Sequence, residues 1–66
     1  MIVLLNGEKK ELERPCTIAQ LLACHRIKPQ GVVVERNRKI VPPEAFESVQ
    51  VADQDKIEIV RFVGGG

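Results

Sequence analysis

Four aliphatic residues, Ile2–Leu5, run straight into Asn6-Gly7. Asn-Gly is the strongest short hairpin signal, because both central residues of a type I′ turn need positive φ. The return strand is expected over residues 8–14, with Leu12 its only large apolar residue. A strand so rich in Lys and Glu suits a sheet edge, where charge discourages pairing with other chains. Pro15 ends it. Thr17-Ile18-Ala19-Gln20 then fits the S/T-x-x-E/Q capping box, and Ile18, Leu21, Leu22 and His25 fall at i, i+3, i+4 and i+7. That spacing predicts one apolar helical stripe of about two and a half turns. His25 is expected on its cap side or half-buried.

Pro29-Gln30-Gly31 breaks the helix. Val32-Val33-Val34 is β-branched throughout and reads as a buried strand. Asn37-Arg38 begins a turn, Lys39-Ile40-Val41 is a short return strand, and Pro42-Pro43 stops it. A helical turn is expected over residues 44–47 with Phe46 facing inward. Val49 and Val51 alternate with polar residues, and Asp53-Gln54-Asp55 makes a tight turn. The last strand, residues 56–62, carries Ile57 and Ile59 on one face and Val60 and Phe62 on the other. A hairpin, then a helix, then further strands is an α+β order. It fits the β-grasp, or ubiquitin-like, layout: a mixed sheet with one main helix packed on one face and the first and last strands parallel at its centre. Residues 1–63 form the expected domain and residues 64–66 a flexible glycine tail.

Size and charge narrow the function. A chain of 66 residues has no room for a deep cleft walled by its own residues. Chemistry is better placed on an exposed group that a larger partner surrounds, and no Ser/His/Asp, paired-carboxylate or metal-ligand set is evident. Lys and Arg number 10 against 9 Asp and Glu, and Phe46 and Phe62 are the only aromatics. The basic excess and stacking surface that nucleic acid demands are both lacking. No apolar run approaches the roughly 18 residues that span a bilayer, and the first residues lack the pattern of a signal peptide. A cytoplasmic, free monomer is expected. Cys16, Cys24 and His25 are three potential ligands where a structural zinc site wants four in short pairs, so both cysteines are expected to act as small apolar residues on or near the core, with no metal.

Gly64-Gly65-Gly66 is the most informative segment. Three glycines cannot pack and resist ordering. One reading is a frayed terminus. The other is a tail slim enough to thread a channel into a partner's active site. There the Gly66 carboxylate can attack the α-phosphorus of ATP, and a persulfide or sulfide can displace AMP from the resulting mixed anhydride to leave a thiocarboxylate. The partner must supply the general base, metal or oxyanion hole.

Val34-Glu35-Arg36-Asn37, the stretch from Asp53 to Glu58, and Ile57-Glu58-Ile59-Val60-Arg61-Phe62-Val63-Gly64-Gly65-Gly66 resemble the ThiS family of sulfur carrier proteins of thiamine biosynthesis. The resemblance spans the whole chain; Gln54 departs from it, since that turn position is often glycine. It implies that a ubiquitin-activating-like adenylyltransferase uses ATP to adenylate Gly66, that a cysteine desulfurase supplies the sulfur, and that thiazole synthase accepts it. No cofactor is bound by the carrier itself. Gly65 and Gly66 carry over as the activated tail, with Gly64 as spacer. Val60 and Phe62 on the open sheet face are expected to dock partners, with Arg61 and Arg36 adding electrostatic steering. A carrier for molybdopterin synthesis and a β-grasp interaction module with an inert tail remain the alternatives.

Overall fold

The computed structural model describes residues 1–62. The expected tail, Gly64, Gly65 and Gly66, and the domain boundary at residue 63 lie outside the described residues. The opening hairpin forms as its turn dictates. Asn6 and Gly7 both take positive φ (50° and 83°), joining β1 (Ile2–Leu5) to β2 (Glu8–Glu11). β2 is shorter than expected. The Leu12 N–H donates a last rung to the Met1 carbonyl at 2.8 Å, Leu12 turns in against the core, and Pro15 beyond it has no N–H to give.

A two-residue strand, β3 (Cys16–Thr17), leads into α1 (Ile18–Cys24). Both arms of the capping box are made: the Gln20 N–H donates to Thr17 Oγ1 at 3.1 Å, and the Thr17 N–H donates to Gln20 Oε1 at 2.9 Å. The helix ends in a Schellman motif. The Arg26 N–H donates to the Ala23 carbonyl (3.0 Å) and the Ile27 N–H to the Leu22 carbonyl (2.9 Å), with Arg26 in the left-handed region at φ 57°. Ile18, Leu21 and Leu22 are buried, but His25 is the exposed C-cap and not a fourth member of the stripe. A helix of seven residues is marginal by itself. Three buried aliphatic side chains at about 1.5–3 kcal/mol each hold it on the sheet.

After a 3₁₀ turn at Pro29–Gly31 come β4 (Val32–Arg36) and β5 (Lys39–Val41), joined by a second turn with two positive φ values at Asn37 and Arg38. A 3₁₀ turn at Pro43–Ala45, slightly earlier than expected, brings Phe46 into the core. β6 (Gln50–Val51) pairs antiparallel with β3, an element too short to show in any periodicity. β7 (Lys56–Arg61) closes the main sheet. Its strand order is β2-β1-β7-β4-β5, with β1 and β7 parallel and the other neighbours antiparallel. This is the expected β-grasp arrangement.

The helix covers one face only. Val3, Leu5, Val32, Val34, Val41, Ile57 and Ile59 point to it and are buried. Val33, expected to be buried with its neighbours, sits half-buried on the open face, because successive strand residues alternate. Gln54 holds φ 72° in the turn before β7, where glycine would be unstrained. Gln54→Gly is therefore expected to leave the fold unchanged and raise stability by about 0.5–1 kcal/mol in urea unfolding; a loss of stability would mean that the Gln54 side chain matters more than its backbone strain.

Candidate functional site

The strand that leads to Gly66 is the best-anchored in the sheet. β7 lies between β1 and β4, and polar clamps fix it at its start, its middle and its far end. At its start, the Asp55 carboxylate is buried. It accepts from Arg36 Nε at 2.7 Å, the Ala52 N–H at 2.8 Å and Asn37 Nδ2 at 3.0 Å. Burial alone would raise the Asp55 pKa, but these hydrogen bonds and the Arg36 charge outweigh it and hold the carboxyl below its ordinary value. Asn37 closes the same corner: its Oδ1 accepts the Lys56 N–H at 2.9 Å. Beside it, Asp53 Oδ1 accepts the Ile2 N–H at 2.7 Å, the main cause of a lowered Asp53 pKa.

In mid-strand, β1 has ended and the Asn6 side chain takes its place. Asn6 Oδ1 accepts the Ile59 N–H at 2.8 Å and Asn6 Nδ2 donates to the Ile59 carbonyl at 3.3 Å. Asn6 thus works both as a turn residue and as a substitute for a strand backbone. At the far end, the Phe62 N–H donates to the Gly31 carbonyl at 3.0 Å. The chain is therefore held rigidly up to Phe62, four positions before Gly66.

The two faces of β7 differ as its alternation requires. Ile57 is fully buried, whereas Val60 and Phe62 are 59% and 63% exposed. Phe62 does not fold over the sheet edge to fill a gap. Val33 sits directly across from Val60. Phe62, Val33 and Ile40 line one shallow apolar hollow of about 430 Å³ with Pro29. Ile40, 66% exposed, and Val33 extend the patch that the sequence suggested only for Val60 and Phe62. Strand geometry puts Val33 and Ile40 on the face opposite Val32, Val34 and Val41, but runs that are apolar on both faces carry no sign of it in the sequence. Arg61 is exposed but has the parity of Ile57 and Ile59, so it turns away from the Val60 face. Arg36, expected to add steering, is instead committed to Asp55.

The second cluster is weaker. Cys16 is half-buried against the core, and burial together with the neighbouring Cys24 pushes its thiol pKa up. Cys24, expected on or near the core, is exposed, because it lies about 110° round the helix from the stripe of Ile18, Leu21 and Leu22. His25 Nδ1 lies 3.0 Å from the Leu21 carbonyl and donates to it in the tautomer protonated there. Among the described residues no three of His, Cys, Asp and Glu gather closely enough to hold a metal ion, and no helix is long and apolar enough to cross a membrane.

A β-grasp domain whose central strand is clamped at three points and runs out beside an exposed apolar face belongs to the ubiquitin-like class of proteins. Comparison with known proteins places it further. The ThiS family model matches residues 3–66, and the chain belongs to that family. It is 43% identical over 63 residues to the sulfur carrier protein ThiS of Bacillus subtilis, covering 94% of this chain and 96% of that one. It is also 41% identical over 66 residues to a thiazole synthase of Paramagnetospirillum magneticum, and there it spans only 20% of the relative's length. The crystal structure of the thiamine biosynthesis protein ThiS from Geobacter metallireducens superposes with a TM-score of 0.87 at 29% identity, covering 100% of both chains.

Proposed function

We propose that this chain is a sulfur carrier of thiamine biosynthesis, a protein co-substrate on which other enzymes act. The family match through residue 66 carries this reading, because it includes the three glycines and with them the Gly66 carboxylate that does the work. A ubiquitin-activating-like adenylyltransferase joins AMP from ATP to the Gly66 carboxylate and releases pyrophosphate. Sulfur mobilised by a cysteine desulfurase then displaces AMP. Hydrosulfide gives the thiocarboxylate directly; a persulfide gives an acyl disulfide, which a second thiol cleaves to the same product. Thiazole synthase accepts the sulfur, and the carboxylate returns. ATP is consumed by the activating partner and is not a resident cofactor of the carrier, and the cycle runs in the cytoplasm.

Each part of the chain has a role in this cycle. Gly64 and Gly65 let the tail pass a narrow channel, since no Cβ widens it. Val60 and Phe62, with Val33 and Ile40 beside them, offer partners an apolar docking face next to the tail. The clamps on β7 fix the distance between that face and the root of the tail, so a partner that seats on the patch also positions the carboxylate.

Intact mass spectrometry tests the reading directly. After incubation with a thiamine-pathway adenylyltransferase, ATP, a cysteine desulfurase and cysteine, the chain is expected to gain about sixteen mass units, one carboxylate oxygen exchanged for sulfur. No gain, with an activating enzyme that is active on its own carrier, would point to an inert tail or to another sulfur pathway.

A further inference from the structure

A second feature lies at the β7 terminus and shares Phe62 with the docking face. Arg26, Lys28 and Arg61 line a surface hollow of about 320 Å³ with Ile27, Gly31 and Phe62. It lies where the end of α1 meets the end of β7, at the root of the tail. All three cations are exposed. The ion pairs among the described residues are Lys10–Glu8 and Arg36–Asp55, and neither involves these three. The chain as a whole is almost neutral, with 10 basic and 9 acidic residues, so three cations without an acid in one hollow are a local concentration of charge.

Arg26 adds a second observation. It occupies the left-handed position that ends the helix, at φ 57°. Glycine adopts that conformation freely and arginine does not. The fold would be served better by glycine, yet a cation stands there, next to two others.

We propose that Arg26, Lys28 and Arg61 form an anion-recognition hollow that docks acidic side chains at the rim of the activating partner's tail channel. This rests on the sulfur-carrier reading and names the chemistry of the partner surface it requires. Reach decides between the two anions a tail-activating enzyme can present, its own carboxylates and the phosphates of ATP. Four residues separate Phe62 from Gly66, and a threaded, extended tail puts the reacting carboxylate up to about 14 Å beyond Phe62. That exceeds the Debye length of about 8 Å at physiological salt, so the nucleotide phosphates lie out of useful range. The protein surface around the channel entrance does not. Apolar contact on one side of β7 and charge on the other then grip the root of the tail from both faces, and the charged side steers encounter.

The test is ATP–pyrophosphate exchange by a thiamine-pathway adenylyltransferase, measured against carrier concentration for the full chain. For the Arg26→Glu, Lys28→Glu double variant, the KM for carrier is expected to rise about tenfold with kcat nearly unchanged, and the salt dependence of the wild type to flatten. Arg26→Gly is expected to raise that KM about threefold while melting no lower than the wild type, which separates recognition from folding. An unchanged KM and salt dependence in both variants would overturn the proposal. So would a lower KM for carrier, which would mean that the cations hold the chain's own carboxylate, or a rise confined to the KM for ATP, which would mean that they meet the nucleotide. No exchange with the wild type, by an enzyme active on its own carrier, would remove the carrier reading and this proposal with it.

Discussion

Deletion of Gly66 is expected to abolish adenylation while leaving the fold intact. The reacting group of the proposed cycle is the carboxylate of that residue. Shortening the chain by one position withdraws the carboxylate by up to about 3.5 Å from a partner site built around it. In-line attack on phosphorus tolerates far less, since a displacement of about 1 Å already costs roughly a hundredfold in rate. The exchange reaction should therefore fall below detection, by at least about a thousandfold. Stability should not change, because the buried core among the described residues ends at Ile59 and the last backbone clamp is the Phe62 N–H on Gly31. Thermal unfolding and pyrophosphate exchange on the same preparation check both halves. A variant that unfolds would make the tail structural, and one still adenylated at the wild-type rate would remove Gly66 from the chemistry.

Much of this architecture was legible because local chemistry and global fold agree. Asn6-Gly7 and Asn37 announce their turns through residues that tolerate positive φ, and Arg38 follows Asn37 into that region without such a signal. Thr17 and Gln20 announce the helix start. The alternation of Ile57 and Ile59 against Val60 and Phe62 already separates the core face from the open face in the sequence. What escaped is of another kind. Asp55 looks like a solvated turn residue, and its partners Arg36 and Asn37 lie 19 and 18 positions away. Asn6 reaches Ile59 across 53 positions, and no periodicity reports such a contact. Arg26 and Gln54 adopt positive φ with side chains that carry no signal for it. Cys24 follows Leu21 by three positions but lies off the stripe of Ile18, Leu21 and Leu22 and stays outside. The basic hollow escaped for the same reason as Asp55: its members come from the end of the helix and the end of the last strand, and only the fold brings them together.

Asp55→Ala is expected to be the most destabilising single substitution in a polar residue of this domain, at about 3 kcal/mol. Truncation leaves the Ala52 N–H, the Asn37 amide and the Arg36 guanidinium without their acceptor at a site that is largely shielded from water. A domain of this size has only about 3–10 kcal/mol of total stability, so the loss should lower the melting temperature by more than about 10 °C. Asp55→Asn separates shape from charge, because it keeps the volume and removes the titration. The sign of the pH effect follows from the lowered carboxyl pKa. In the folded state Asp55 gives up its proton more readily than in the unfolded chain, where its pKa is about 3.9. Its contribution is therefore present above that unfolded value and is lost as pH falls through the folded one. Urea unfolding of the wild type between neutral pH and pH 2 should show stability dropping at the acid end. Asp55→Asn should start lower and fall less steeply, with Asp53 and its Ile2 N–H supplying the slope that remains. A variant with the full wild-type slope would show that the corner around Asp55, which sets the start of β7 and so the placement of the tail, is not held by its charge.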